Sequence, residues 1–161
     1  MQKKKIAIFL AARCGSKRLP NKHFLKINSH YKIIDICISR LKKTKLVSKI
    51  FLCTTKKKED NKFQSVCSKH KISLFKGSNN DVAKRLIDCA IQNSIDIIVR
   101  ITADCPLIDP KIIDKCIYLH LLKKNDYTSN TLNLTFPDGL DVEVMNLDAL
   151  IKSQKICKTL Y

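Results

Sequence analysis

Residues 6–22 read IAIFLAARCGSKRLPNK. Ile6–Leu10 is a continuous apolar run, long enough for a fully buried strand and too short for a helix. Behind it, Arg13-Cys14-Gly15-Ser16-Lys17-Arg18-Leu19-Pro20-Asn21-Lys22 carries four cations, one glycine and one serine. Lys3, Lys4 and Lys5 ahead of the run imitate a signal peptide, but Arg13 interrupts it where a small-residue cleavage site belongs. A buried first strand delivering a basic loop is the better reading.

The same alternation continues outward. Ile33, Ile34, Cys37, Ile38 and Leu41 recur at helical spacing, with Lys42, Lys43 and Lys45 at the end where cations suit the helix dipole. Residues 50–53 read as a second strand, Phe63, Val66 and Cys67 as one helical face, and residues 72–75 as a third strand. Gly77-Ser78-Asn79-Asn80 is a turn opening a helix with Val82, Leu86, Cys89 and Ala90 inward. Residues 95–101 form a fourth strand, 103–109 the loop after it, and Asp109-Pro110 caps a helix carrying Ile112, Ile113, Cys116, Leu119 and His120. Strands alternating with helices of this length predict an α/β protein with a three-layer, Rossmann-like, mostly parallel sheet. Residues 126–134 read as irregular, 140–145 as a strand and 147–156 as a last helix. No repeat, linker or boundary interrupts residues 1–161, so a single domain is expected.

Composition narrows the partners. With 45% hydrophobic and 28% charged residues in 161, the chain is neither disordered nor membrane-spanning. Its formal charge of +17 attracts anions: nucleic acid, anionic lipid or phosphorylated small molecules. Lysine on solvated faces explains the excess equally well. Aromatics at 6%, with no tryptophan, leave few stacking platforms, so nucleic acid is a poor candidate. Eight cysteines without a C-x-x-C pair read as small buried hydrophobes in a reducing, cytoplasmic setting. The histidines offer no triad or ligand spacing; His120 reads as half-buried and His23, His30 and His70 as surface.

In open α/β sheets ligands bind beyond the carboxyl ends of the strands. The 13–22 loop lacks both the Walker order and G-x-G-x-x-G. It still suits a triphosphate, because glycine admits close backbone approach and Arg13, Arg18 and Lys22 neutralise phosphate charge; the alternative is a solvated basic loop. Asp104, just past the fourth strand, stands where a Mg²⁺ ligand belongs, or fills a turn role. Asp138, Asp141 and Glu143 form an acidic cluster that either completes a metal site or pairs with lysines. Asp81 and Arg85 have the i,i+4 spacing of a helix pair. Cys14 and Cys105 border this region, so thiol reagents are expected to inhibit without a catalytic role.

Four segments carry a resemblance: Arg13–Lys22; Gly77-Ser78-Asn79-Asn80-Asp81-Val82; Val99–Pro110; and Phe136-Pro137-Asp138-Gly139-Leu140-Asp141-Val142-Glu143-Val144. Together, in order, they resemble the sugar cytidylyltransferases, nearest to the spore-coat polysaccharide biosynthesis F and acylneuraminate groups. The resemblance implies a nucleotide-diphospho-sugar transferase fold and transfer of CMP from CTP to an acidic sugar, with pyrophosphate released and Mg²⁺ as cofactor. It assigns Arg13, Lys22 and Asp104 to catalysis. Ala11, Ala12, Arg13, Gly15, Ser16, Arg18, Lys22, Asp81 and Arg85 go to the nucleotide, with Gly15 and Ser16 acting through backbone amides. Arg100, Asp138 and Glu143 go to the acceptor, and Asp104 with Asp141 to the metal. Family members continue beyond the position of Tyr161, which implies a domain incomplete at its C-terminus, with further strands, helices and homodimer contacts supplied there. Two alternatives stay open: a nucleotidyltransferase using another NTP or acceptor, and a catalytically inactive basic binding module.

Overall fold

The computed structural model describes residues 4–16, 18–133 and 136–160; Lys17 and Leu134 lie outside these. Six strands form one sheet: β1 (Ile6–Ala11), β2 (Lys49–Thr55), β3 (Ser73–Gly77), β4 (Ile97–Thr102), β5 (Tyr127–Ser129) and β6 (Glu143–Asn146). Their order is β3-β2-β1-β4-β6-β5. The first four run parallel, with Ile8 opposite Ile50 on one side and Val99 on the other. β6 is antiparallel to both β4 and β5. β5 corrects the sequence reading, which took residues 126–134 as irregular. Its three residues carry no apolar alternation, and β6 recruits them by pairing Thr128 with Val144.

Strand alternation divides two cores. Ile6, Ile8, Leu10, Val99 and Ile101 face one side, covered by α1 (Ile33–Leu41), α2 (Phe63–His70) and α4 (Pro110–Lys123). Ala7, Phe9, Phe51, Ile98 and Met145 face the other, covered by α3 (Val82–Gln92) and α5 (Leu147–Leu160). Phe9 and Phe51 meet edge to face at 5.5 Å, a favoured aromatic geometry. Among the described residues no helix is long and apolar enough to cross a membrane. Seven of the eight cysteines are buried and free; Cys157 is exposed.

Helix starts follow capping chemistry. Asp109 accepts from the Lys111 N–H, with Pro110 at the first turn of α4. Asp81 caps α3 by accepting from the Lys84 N–H at 2.8 Å, and its other oxygen accepts from Gln154 Nε2 at 2.8 Å, so one carboxylate starts α3 and docks α5. Replacing a capping Asp by Ala costs about 1 kcal/mol. Asp81→Ala is therefore expected to lower the melting temperature by about 2–4 °C, and Gln154→Ala, which spares the cap, by less; equal melting temperatures for Asp81→Ala and wild type would refute the double role.

Candidate active site

The chain runs from β1 through β2 to β3 on one side, then returns to place β4 against the other edge of β1. The strand order thus reverses between β1 and β4, and the crevice outside their carboxyl ends is the binding location this topology creates. Ala11, ending β1, accepts from the Ala103 N–H at 3.1 Å, and Ala12 donates its N–H to the Cys53 carbonyl at 3.2 Å. The loop after β1 and the turn after β4 are therefore joined at their roots. Across the crevice mouth Lys22 Nζ pairs with the Asp104 carboxylate.

The remaining cations of the loop differ from Lys22. Arg13 and Arg18 are exposed, and among the described residues neither forms an ion pair. Ser16 departs from the resemblance: its N–H donates to the Cys14 carbonyl at 2.9 Å, which also accepts from the Asn21 N–H at 3.1 Å. The turn consumes that amide, leaving the Gly15 N–H without a partner among the described residues.

Asp81 and Arg85 do not form the i,i+4 pair, because Asp81 is engaged as cap and tether. Arg85 is buried, 2% exposed, and its Nε donates to the Ser78 carbonyl at 2.9 Å. Gly77 makes room for it: a Cβ there would lie 2.7 Å from Arg85 Cγ. Burial lowers the Arg85 pKa, partly opposed by the Cys53, Asp60 and Asp81 charges. Arg85 thus stiffens the turn after β3.

The acidic cluster separates. Strand alternation sends Val142 and Val144 into one core and Glu143 to the opposite face. There Glu143 pairs with its cross-strand partner Arg100 and accepts from Tyr127 Oη at 2.9 Å. These three residues line a cavity of about 430 Å³ whose walls include Val82, Leu86 and Leu150. Asp138 and Asp141 remain exposed; Asp141 and Asp104 both act on the Cys105 thiol, pushing it up.

Sequence reasoning missed two residues that hold the crevice. His23, expected at the surface, is 3% exposed and packs against Phe63 in a tilted arrangement with ring centroids 5.9 Å apart. Burial lowers its pKa, opposed by the Ala103 backbone and the Asp104 charge, and its Nδ1 has no partner among the described residues. A histidine between Lys22 and Phe24 in a polar loop carries no apolar period that would mark it as buried. The second is Asp60, 1% exposed, hidden in the stretch Lys56-Lys57-Lys58-Glu59-Asp60. His70, also expected at the surface, is largely buried, its Nε2 2.6 Å from the buried Asp35 carboxylate. His120 is buried more fully than expected.

The thiols beside the crevice correct another expectation. Burial and the neighbouring Asp60 push Cys14 up to about 12, and burial raises Cys105. Buried protonated thiols are poor nucleophiles. Maleimide at pH 7.5 is expected to modify Cys157 and leave Cys14 and Cys105 intact, read by peptide mass spectrometry; rapid labelling of Cys14 would contradict its burial.

Burial raises the Asp104 pKa, but the hydrogen bond and charge of Lys22 outweigh it, so the carboxyl lies below its ordinary 3.8. A carboxylate held low stabilises the fold above its unfolded pKa, and that contribution is lost as pH falls through the folded value. Lys22→Met is therefore expected to move the Asp104 midpoint upward in a carboxyl-carbon NMR titration and to shift the onset of acid unfolding to higher pH. An unmoved midpoint would show that the ion pair is absent in solution.

With fold and crevice defined, the molecule is an α/β protein with a basic loop and an aspartate facing each other at a topological switch point. Residues 7–159 match the family described as Cytidylyltransferase, and the chain belongs to that family. Spore coat polysaccharide biosynthesis protein SpsF of Bacillus subtilis is 30% identical over 155 residues, covering 94% of this chain and 63% of that protein. A cytidylyltransferase structure from Leptospira borgpetersenii superposes with a TM-score of 0.91 at 38% identity, over 96% of this chain and 66% of that one. CMP:2-keto-3-deoxy-manno-octonic acid synthetase complexed with CTP shares the fold, with a TM-score of 0.73 at 15% identity, over 94% and 78% of the two chains. The chain spans 63% of the length of the curated relatives that it matches.

Proposed function

We propose that the chain binds CTP across the β1–β4 crevice and transfers CMP to a sugar hydroxyl with release of pyrophosphate, for a surface polysaccharide or glycan. The observation that carries this reading is the pairing of Lys22 with Asp104 at the switch point, on a loop whose Arg13 and Arg18 are exposed and, among the described residues, form no ion pair. Exposed guanidinium groups at a strand-end loop match phosphate geometry. The polysaccharide context comes from the SpsF relative, and the nucleotide from the family and from the CTP-bound structural neighbour.

In the proposed reaction the acceptor oxygen bonds to the α-phosphorus as the bond to the pyrophosphate oxygen breaks, and the hydroxyl proton leaves to water. Such transfers depend on positioning and charge neutralisation more than on covalent chemistry from the protein. Arg13, Arg18 and Lys22 would neutralise the triphosphate, and the Gly15 N–H is available to it. The donor types fit Mg²⁺, which takes one or two carboxylates and completes its shell with phosphate oxygens and water: Asp104 is partly exposed and Asp141 is exposed. Held by Asp104 and Asp141, the ion would supply charge neutralisation at the phosphates. The cavity lined by Arg100, Glu143 and Tyr127 has the size of a ligand site. Its ion pair offers donors and acceptors together, as sugar hydroxyls require. A reducing cytoplasm suits the free buried thiols.

Thermal unfolding with CTP, UTP, ATP and GTP, each with and without Mg²⁺, tests the reading. At a hundredfold excess over Kd a ligand adds about 2.7 kcal/mol, a rise of about 5–10 °C at this size. The expected result is a rise with CTP and Mg²⁺ that Lys22→Ala and Asp104→Ala abolish. No rise with any nucleotide from a folded sample would sink the proposal. A rise with polyanions instead, collapsing steeply with salt, would favour a binding module.

A further inference from the structure

The turn of 3-10 helix at Lys58–Lys62 follows β2, and its contacts converge on the loop after β1. Asp60 Oδ1 accepts from the Cys14 N–H at 2.7 Å. Asp60 Oδ2 accepts from the Thr55 hydroxyl and from the Thr55 N–H at 3.3 Å. Next to it, the Cys14 thiol donates to the Glu59 carbonyl at 3.2 Å. A Cβ on Gly15 would lie 2.8 Å from Glu59 Oε1, so the Glu59 side chain, too, packs against this segment. At the far end of the loop, Lys62 Nζ donates to Asn21 Oδ1 at 3.2 Å.

A buried carboxylate is costly unless its oxygens are satisfied, and those of Asp60 are. Burial raises its pKa, but donors from Thr55 and Cys14 outweigh this and keep it ionised. Hydrogen bonds to an ionised acceptor are shorter and roughly twice as strong as neutral ones. The Cys14 peptide is therefore gripped at one point, with Arg13 before it and Gly15 after it. Asp60 itself, 1% exposed, is shielded from solvent. We propose that Asp60 is a positioning residue: it sets the Arg13–Gly15 segment in the conformation that receives the triphosphate. The proposal rests on the nucleotide reading of this loop given above.

Asp60→Asn keeps the shape and removes the charge. Two quantities are measured: the CTP·Mg²⁺ dissociation constant by calorimetry, and amide hydrogen exchange across residues 14–21. Ile38→Val, a fully buried core change, controls for general destabilisation. For Asp60→Asn the expected results are a CTP affinity at least tenfold weaker and loop amides exchanging at least tenfold faster, with both within twofold of wild type for Ile38→Val. Wild-type exchange in Asp60→Asn overturns the proposal, as does faster exchange with unaltered CTP affinity. A wild-type protein that binds no triphosphate overturns the underlying nucleotide reading, whereas equal binding by wild type and Asp60→Asn overturns only the role of Asp60. Should Asp60→Asn fail to fold, Thr55→Val removes one donor more gently. It is expected to weaken CTP severalfold and Thr55→Ser to restore it, and equal affinities in the two variants overturn the proposal.

Discussion

β1 pairs with β2 from Ala7 to Ala11 on one edge and with β4 along its whole length on the other, and is buried on both faces. A strand in that position leaves its backbone no choice of partner, and a register slip of one residue would exchange the two cores. It also fixes where the chain must emerge: the residues after Ala11 leave the sheet between the ends of two neighbouring strands. The polar loop is therefore delivered to the point between β1 and β4 where strand order reverses, and Asp104 arrives from the neighbouring strand. The crevice follows from the pairing of β1 before any of its side chains is considered.

Charge is distributed unevenly around that frame. With 31 basic and 14 acidic residues, most of the described lysines are exposed to solvent. The aspartates that leave solvent take several donors each. Asp35 binds His70, Lys69 and the Lys32 N–H; Asp60 binds the Thr55 and Cys14 N–H groups and the Thr55 hydroxyl. Both are held below the usual carboxylate value despite burial. In a strongly basic chain, an ionised aspartate inside the fold orients peptide and side-chain donors around itself. Asp104 differs in being partly open to solvent, with one cation opposite it, which keeps it available to an incoming charge.

The alternating apolar segments made the four parallel strands and most helices legible, because burial on both faces produces continuous apolar runs with no competing explanation. β5 was illegible for the opposite reason: Tyr127, Thr128 and Ser129 join the sheet only because β6 offers an edge. The basic loop and Asp104 were legible from their positions just beyond apolar runs. Asp60 and His23 were not, since neither lies in a periodic segment and each is buried by a partner far away in sequence: Cys14 for one, Phe63 and Ala103 for the other. The separation of Glu143 from Asp138 and Asp141 was in principle readable from the alternation Val142-Glu143-Val144, which sends the middle side chain to the other face.

That separation bears on how an acceptor is recognised. Arg100 and Glu143 sit directly opposite each other on neighbouring strands, so their pairing is imposed by the β4–β6 register rather than by flexible side chains finding one another. An arginine whose charge is met in this way is a weaker attractant for a carboxylate than a free one, because an incoming anion must compete with Glu143. On the loop after β1, by contrast, Arg13 and Arg18 are exposed and form no ion pair among the described residues, and the cavity between α3 and α5 presents donors, acceptors and apolar walls in fixed positions. In the proposed reaction such an arrangement would select an acceptor by shape and hydroxyl pattern more than by charge.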